Sequence, residues 1–138
     1  MSNRNLYIIL AIVVVVVVAG YLLYRQGKKS AERPKDVEYP NNGTGIPAGW
    51  SAEIIADNLH DVMDGLFTLP ITKDAAWLKL RDLPTNDMVI AVYNVFNQKY
   101  FNKDDGTLTQ WIKDESVLGW PSEVKETTLA RLATLNLV

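Results

Sequence analysis

Residues 85–100 read TNDMVIAVYNVFNQKY. Val89, Val92, Tyr93, Phe96 and Tyr100 fall at i, i+3, i+4, i+7 and i+11, the series that lines one face of an α-helix. Thr85 stands just before the run, where a side-chain oxygen can accept an orphan N–H of the first turn. No segment of the chain alternates apolar and polar residues with period two for long. This stretch therefore sets an all-α expectation, and the segments around it are read in its light.

Upstream, Ser51 is placed as an N-cap with Glu53 in the first turn. Ile54, Ile55, Leu59, Val62 and Met63 then recur at helical spacing until Gly65. Leu66 to Ile71 reads as a loop broken by Pro70. Thr72 is the expected cap of a second helix with Asp74 near its positive end, the inward stripe Ala76, Trp77 and Leu80, and a stop at Pro84. Downstream, NKDDG (102–106) is a turn. Thr107 opens a short helix with Leu108, Trp111 and Ile112 that ends by Gly119. Pro121 suits the first turn of a last helix carrying Val124, Thr128, Leu132 and Leu135, with Leu129 beside them. Residues 51–138 thus form one expected domain of five short helices, 88 residues long and able to bury a single modest core.

The amino-terminal part has a different character. Residues 6–24, LYIILAIVVVVVVAGYLLY, hold nineteen residues without a charge. At about 1.5 Å per residue they would make a helix of roughly 28 Å, close to a bilayer's hydrocarbon thickness. Six consecutive valines disfavour a helix in water, but lipid leaves a lone segment no other way to pair its amides. The expectation is a single-pass transmembrane helix preceded by a short tail, residues 1–5. Its anchor residues are Leu6, Tyr7, Val13, Val18, Tyr21 and Tyr24, and Arg25, Lys28 and Lys29 would contact headgroups. The alternative, a cleaved signal peptide ending near Val18-Ala19-Gly20, fits less well in length and flanks. Basic residues cluster after the helix, which puts the C-terminal domain on the cytoplasmic side, or its equivalent in a virion's internal membrane. Residues 25–50 would be a basic juxtamembrane segment and flexible linker, rich in proline, glycine and asparagine. Asn42-Gly43-Thr44 matches a glycosylation acceptor, but an Asn-Gly turn explains it without modification.

Charge divides the same way. The first fifty residues carry a net of +3 and residues 51–138 a net of −5. No basic stripe exists in the domain, so nucleic acid is not an expected partner. With no cysteine there is neither a disulfide framework nor a thiolate metal site.

Candidate chemistry is sparse. Asp57, His60, Asp61 and Asp64 lie within two turns, and the three carboxylates share a face; a solvated acidic face opposite the apolar stripe gives the same pattern. The NKDDG turn fails as an EF-hand, because Phe101 and Ile112 occupy the first and twelfth positions, where acids are required. Trp77 and Trp111 lie on apolar stripes and are expected in the core, with Trp50 and Trp120 at the domain's ends. No partnered serine or threonine nucleophile and no phosphate-cradling loop is present.

IADNLHDVMDGLFT, TKDAAWLKLRDL, VIAVYNVFNQKY and GTLTQWIKDESVLGW, in this order over residues 51–120, resemble one annexin repeat and the annexin-like single domains of bacterial and phage proteins. The resemblance implies a five-helix repeat. It also implies a loop site in which backbone carbonyls around Gly65 and Thr68, with the downstream carboxylate Glu115, bind calcium bridged to phospholipid. Phe67 stands where that family has a second glycine, and Leu69-Pro70-Ile71 lengthen the loop. No cofactor or metal is therefore expected to be resident, and lipid contact with or without calcium remains open.

Three functions follow as expectations. The first is a non-enzymatic, membrane-anchored structural protein whose helical domain docks to a protein partner, similar in layout to membrane-associated virion proteins that link membrane to capsid in lipid-containing bacteriophages. The second is an annexin-like peripheral lipid-binding module. The third is a membrane-tethered cell-wall-cutting enzyme that uses a lone carboxylate such as Glu53 or Glu115.

Overall fold

The computed structural model describes residues 3–29, 32–65, 67–115 and 121–138, with backbone alone for 3, 4, 6, 10 and 24–29. The described residues form helices and no strand: α1 (Asn3–Lys29), α2 (Ala52–Asp64), α3 (Pro70–Arg81), α4 (Asn86–Tyr100), α5 (Leu108–Asp114) and α6 (Glu123–Thr134). The chain divides into two compact units. One comprises Met1–Glu32 with Asn102–Asp104, the other Arg33–Phe101 with Asp105–Val138.

The first unit contains α1, whose described apolar side chains from Tyr7 to Leu23 are all exposed. Among the described residues, no helix is long and apolar enough to cross a membrane. A crossing needs about 20 consecutive, predominantly apolar residues to span a hydrocarbon layer about 30 Å thick. The expected transmembrane crossing over residues 6–24 is therefore corrected: the fold is all-α without a supported membrane span. Of the anchor and headgroup residues named above, Tyr7, Val13, Val18 and Tyr21 lie exposed on α1. The side chains of Leu6, Tyr24, Arg25, Lys28 and Lys29 are outside the described residues.

The second unit is built around α4. Thr85 caps it as expected, its hydroxyl accepting the Met88 N–H at 3.2 Å. The helical face seen in the sequence is buried: Val89, Val92 and Phe96 are fully enclosed, against Leu59 of α2, Trp77 and Leu80 of α3, Leu108 and Ile112 of α5, and Leu132 of α6. The opposite face is buried too, at Asp87, Ile90, Ala91 and Asn94. A helix enclosed all round needs cover on both sides, and residues 33–50, expected as linker, supply part of it. Val37, Tyr39, Ile46 and Trp50 pack against the core.

Hydrogen bonds fasten this strap. The Asn94 carboxamide receives the Val37 N–H and donates to the Val37 carbonyl, both at 2.9 Å, as a paired strand would. The fully buried Asp87 carboxylate accepts the Gly45 N–H at 3.0 Å and the Asn41 N–H at 3.3 Å. Thr85 donates to the Gly45 carbonyl. Between these anchors Asn42 and Gly43 both take positive φ, the conformation an Asn-Gly turn supplies at little cost.

The remaining ends are closed locally. Thr107 caps α5, and the Asn97 side chain takes the Leu108 N–H at 2.9 Å. Ser122 caps α6, with Pro121 just outside it. Two cations of α6 satisfy orphan carbonyls at helix C-termini, where positive charge is favoured: Lys125 donates to the carbonyls of Lys113 and Glu115, and Arg131 to those of Arg81 and Leu83. After α6, Asn136 adopts positive φ, and the Leu137 N–H returns to the Leu132 carbonyl. That Schellman closure folds Leu137 into the core.

Ser51 stands at the N-cap of α2 but makes no capping hydrogen bond. The second helix of the domain begins at Pro70 rather than after Thr72, because a proline at the first helical position loses no needed donor and arrives with helical φ. Gly119 and Trp120 lie outside the described residues.

Candidate functional site

The loop between α2 and α3 is where the unit spends apolar residues on solvent. Gly65 ends α2 with φ −75° and ψ 125°, so the chain leaves extended rather than curling back through a left-handed cap. The Thr68 hydroxyl touches the Gly65 carbonyl at 3.4 Å. Leu69 then caps α3 through its own carbonyl, which accepts the N–H groups of Thr72 and Lys73. The outcome is that Phe67 is 94% exposed, Leu69 64% and Ile71 76%. Burying a Phe, Leu or Ile side chain stabilises a fold by about 1.5–3 kcal/mol, and three such chances are forgone within five residues. Scattered exposed apolar residues are ordinary; these three stand within five residues of one loop.

The other half of the implied calcium site is already engaged. Glu115 forms an ion pair with the Lys73 ammonium, the two side chains only 15% and 10% exposed. The carboxylate that the annexin resemblance gives to calcium thus has a built-in cation beside it. Among the described residues, no group of three or more His, Cys, Asp or Glu side chains is placed to hold a metal.

The acidic helix face does not act as one cluster. The Lys99 ammonium sits between Glu53 and Asp57, at 2.8 and 2.5 Å, and the Tyr100 hydroxyl donates to Asp57 at 2.6 Å. Hydrogen bonds from Lys99 and then Tyr100 hold the Asp57 carboxyl below its ordinary range. The same contacts, with Asp57 first, raise Lys99, and burial together with the bond to Asp57 raises Tyr100. His60 stacks on Tyr100, centroids 3.8 Å apart and planes at 9°, with Trp111 tilted 5.4 Å away. Asp57 therefore tends towards a permanently charged, neutralised carboxylate, the reverse of a poised general base. Asp61 and Asp64 stay exposed on the outer side of α2. Glu53 and Glu115, the two acids named for hydrolytic chemistry, are both ion-paired.

Trp77 is fully buried as expected, Trp111 half-buried, and Trp50 packs at the core's edge. An open cleft of about 550 Å³ beside the strap is lined by Asp36, Glu38, Tyr39, Asn42 and Asn94. Its most buried polar group, the Asn94 amide, is already spent on Val37.

The strap was missed in the sequence, although a signal existed. Asp87, Asn94 and Gln98 run at i, i+7 and i+11 as a polar stripe down an otherwise apolar helix, and all three bind strap residues. No family model, curated protein or solved structure matches this chain.

Proposed function

We propose that the second unit is a non-enzymatic docking module, and that the loop carrying Phe67, Leu69 and Ile71 is its contact element for a protein partner. The observation that carries the reading is the exposure of the Phe67 ring in a loop that has no charge from Gly65 to Thr72. Aromatic anchors that enter a partner's pocket supply a disproportionate share of binding energy. The net −5 of residues 51–138 favours a protein over an anionic lipid surface. The neutralised carboxylates, each already matched with an ammonium, fit a binding role better than a hydrolytic one.

The reading is tested by placing a photoreactive benzoylphenylalanine at position 67 of the full chain, expressed in its native setting, with position 79 on α3 as the exposed control. A discrete crosslinked protein from position 67, absent from position 79, is the expected result. Adducts to lipid alone would transfer the loop to a peripheral lipid-binding reading, and equal labelling from both positions would remove the docking reading.

A further inference from the structure

We propose that the surface receiving this loop is an apolar pocket bordered by basic side chains. This deepens the docking reading above and rests on it.

The argument starts from the charges around Phe67. Asp61 and Asp64 occupy the last turn of α2, immediately before the loop, and that turn contains no basic residue. The Asp61 side chain is 78% exposed, with the His60 ring nitrogen at 3.5 Å, and Asp64 is exposed. Carboxylates at a helix C-terminus stand against the negative end of the macrodipole, where lysine or arginine would be favoured. At the C-termini of α3 and α5 this fold does meet the carbonyls with cations, Arg131 and Lys125. At the C-terminus of α2, six and three residues before Phe67, it places two acids instead.

On the far side of the loop, no cation stands in the chain before Lys73. Lys73 itself is turned inward to Glu115. Asp74 follows, accepting the Ser122 hydroxyl. An apolar tip preceded in the chain by two exposed acids is complementary to an apolar pocket bordered by bases. It is repelled by an anionic bilayer, and such rim charges set orientation and association rate.

The test uses the full chain with benzoylphenylalanine at position 67 and two defined probes. One is an amphipathic helical peptide of leucine and lysine, the other its leucine and glutamate counterpart. The leucine–lysine peptide is expected to crosslink, with a yield that falls as salt rises, and the leucine–glutamate peptide is not. Asp61→Lys with Asp64→Lys is expected to reverse that preference. These positions are exposed, so an unchanged melting curve certifies the variant as folded. Equal crosslinking to both peptides, or an unaltered preference in the double variant, would overturn the basic rim while leaving the docking reading in place. So would stronger labelling of phosphatidylglycerol vesicles than of the leucine–lysine peptide. Loss of the native-setting crosslink from position 67 is the separate result that removes the docking reading itself.

Discussion

Lys73 and Glu115 show how one pair of residues can redirect a site. Two charges that are nearly out of water cost desolvation energy that their attraction recovers only while both are present. Lys73→Met should lower stability by about 3 kcal/mol in urea melts, because it strands Glu115. Adding Glu115→Leu should restore most of that loss, and a double variant no more stable than the single one would contradict the pairing. The same geometry predicts that millimolar calcium leaves the melting temperature of the unaltered chain unchanged, whereas a rise of several degrees would show that calcium displaces the lysine. Asp57, Lys99 and Tyr100 make a statement about pH. Asp57 is held below its ordinary 3.8 and Lys99 above its ordinary 10.5, so their pairing stabilises the fold between those values. Its contribution falls away as pH drops below 3.8 and Asp57 is protonated. It also falls away as pH climbs past 10.5 towards the raised value of Lys99. Measured as the stability difference between the unaltered chain and Lys99→Met, the gap should be flat near neutrality and narrow at both extremes. A gap that widens above pH 10.5 would contradict this sign.

Among the elements, the strap and the loop after α2 were the least legible in the sequence, for related reasons. The period of α4 is a property of side chains, and so are the caps Thr85 and Thr107; these were readable. The strap is held through its backbone N–H and C=O groups, which every residue type offers, so its proline- and glycine-rich stretch looked like a linker. Its partners Asp87 and Asn94 did carry a signal, but as polar interruptions on an apolar helix they resembled tolerated exceptions. Gly45 tests the seating of the strap. A Cβ there would meet the Thr85 hydroxyl at 3.1 Å and Asp87 at 3.2 Å. Gly45→Val should therefore lift the strap from Asp87, costing about 2–3 kcal/mol for a buried carboxylate left without its amides. It should also speed amide exchange at Val37. Unchanged exchange at Val37 would show the strap to be held elsewhere. The exposed loop was readable as a loop, and its glycine, phenylalanine and threonine were singled out; its outward apolar display was not, since burial depends on what the rest of the fold can reach.

At the scale of the whole molecule the two units pose different physical problems. The second unit encloses a core running from Ala56 to Leu137, while α1 leaves its described apolar side chains uncovered. Surfaces of that kind are met by other apolar matter. Removing residues 1–32 should leave the cooperative melting transition of the second unit unchanged and abolish association of the chain in plain buffer, as read by sedimentation velocity. A transition that shifts by many degrees would mean that the core depends on the removed segment. The all-α class followed from periodicity alone, whereas the expected membrane span rested on composition and did not find a supporting helix among the described residues. The functional claim rests on one ring. With 4-fluorophenylalanine at position 67 of the full chain, fluorine NMR reads its surroundings directly. An aromatic residue displayed for docking predicts a full solvent isotope shift and strong broadening by a soluble paramagnetic agent, both suppressed when the protein partner is bound. A fluorine signal shielded from both in the unbound chain would contradict the account.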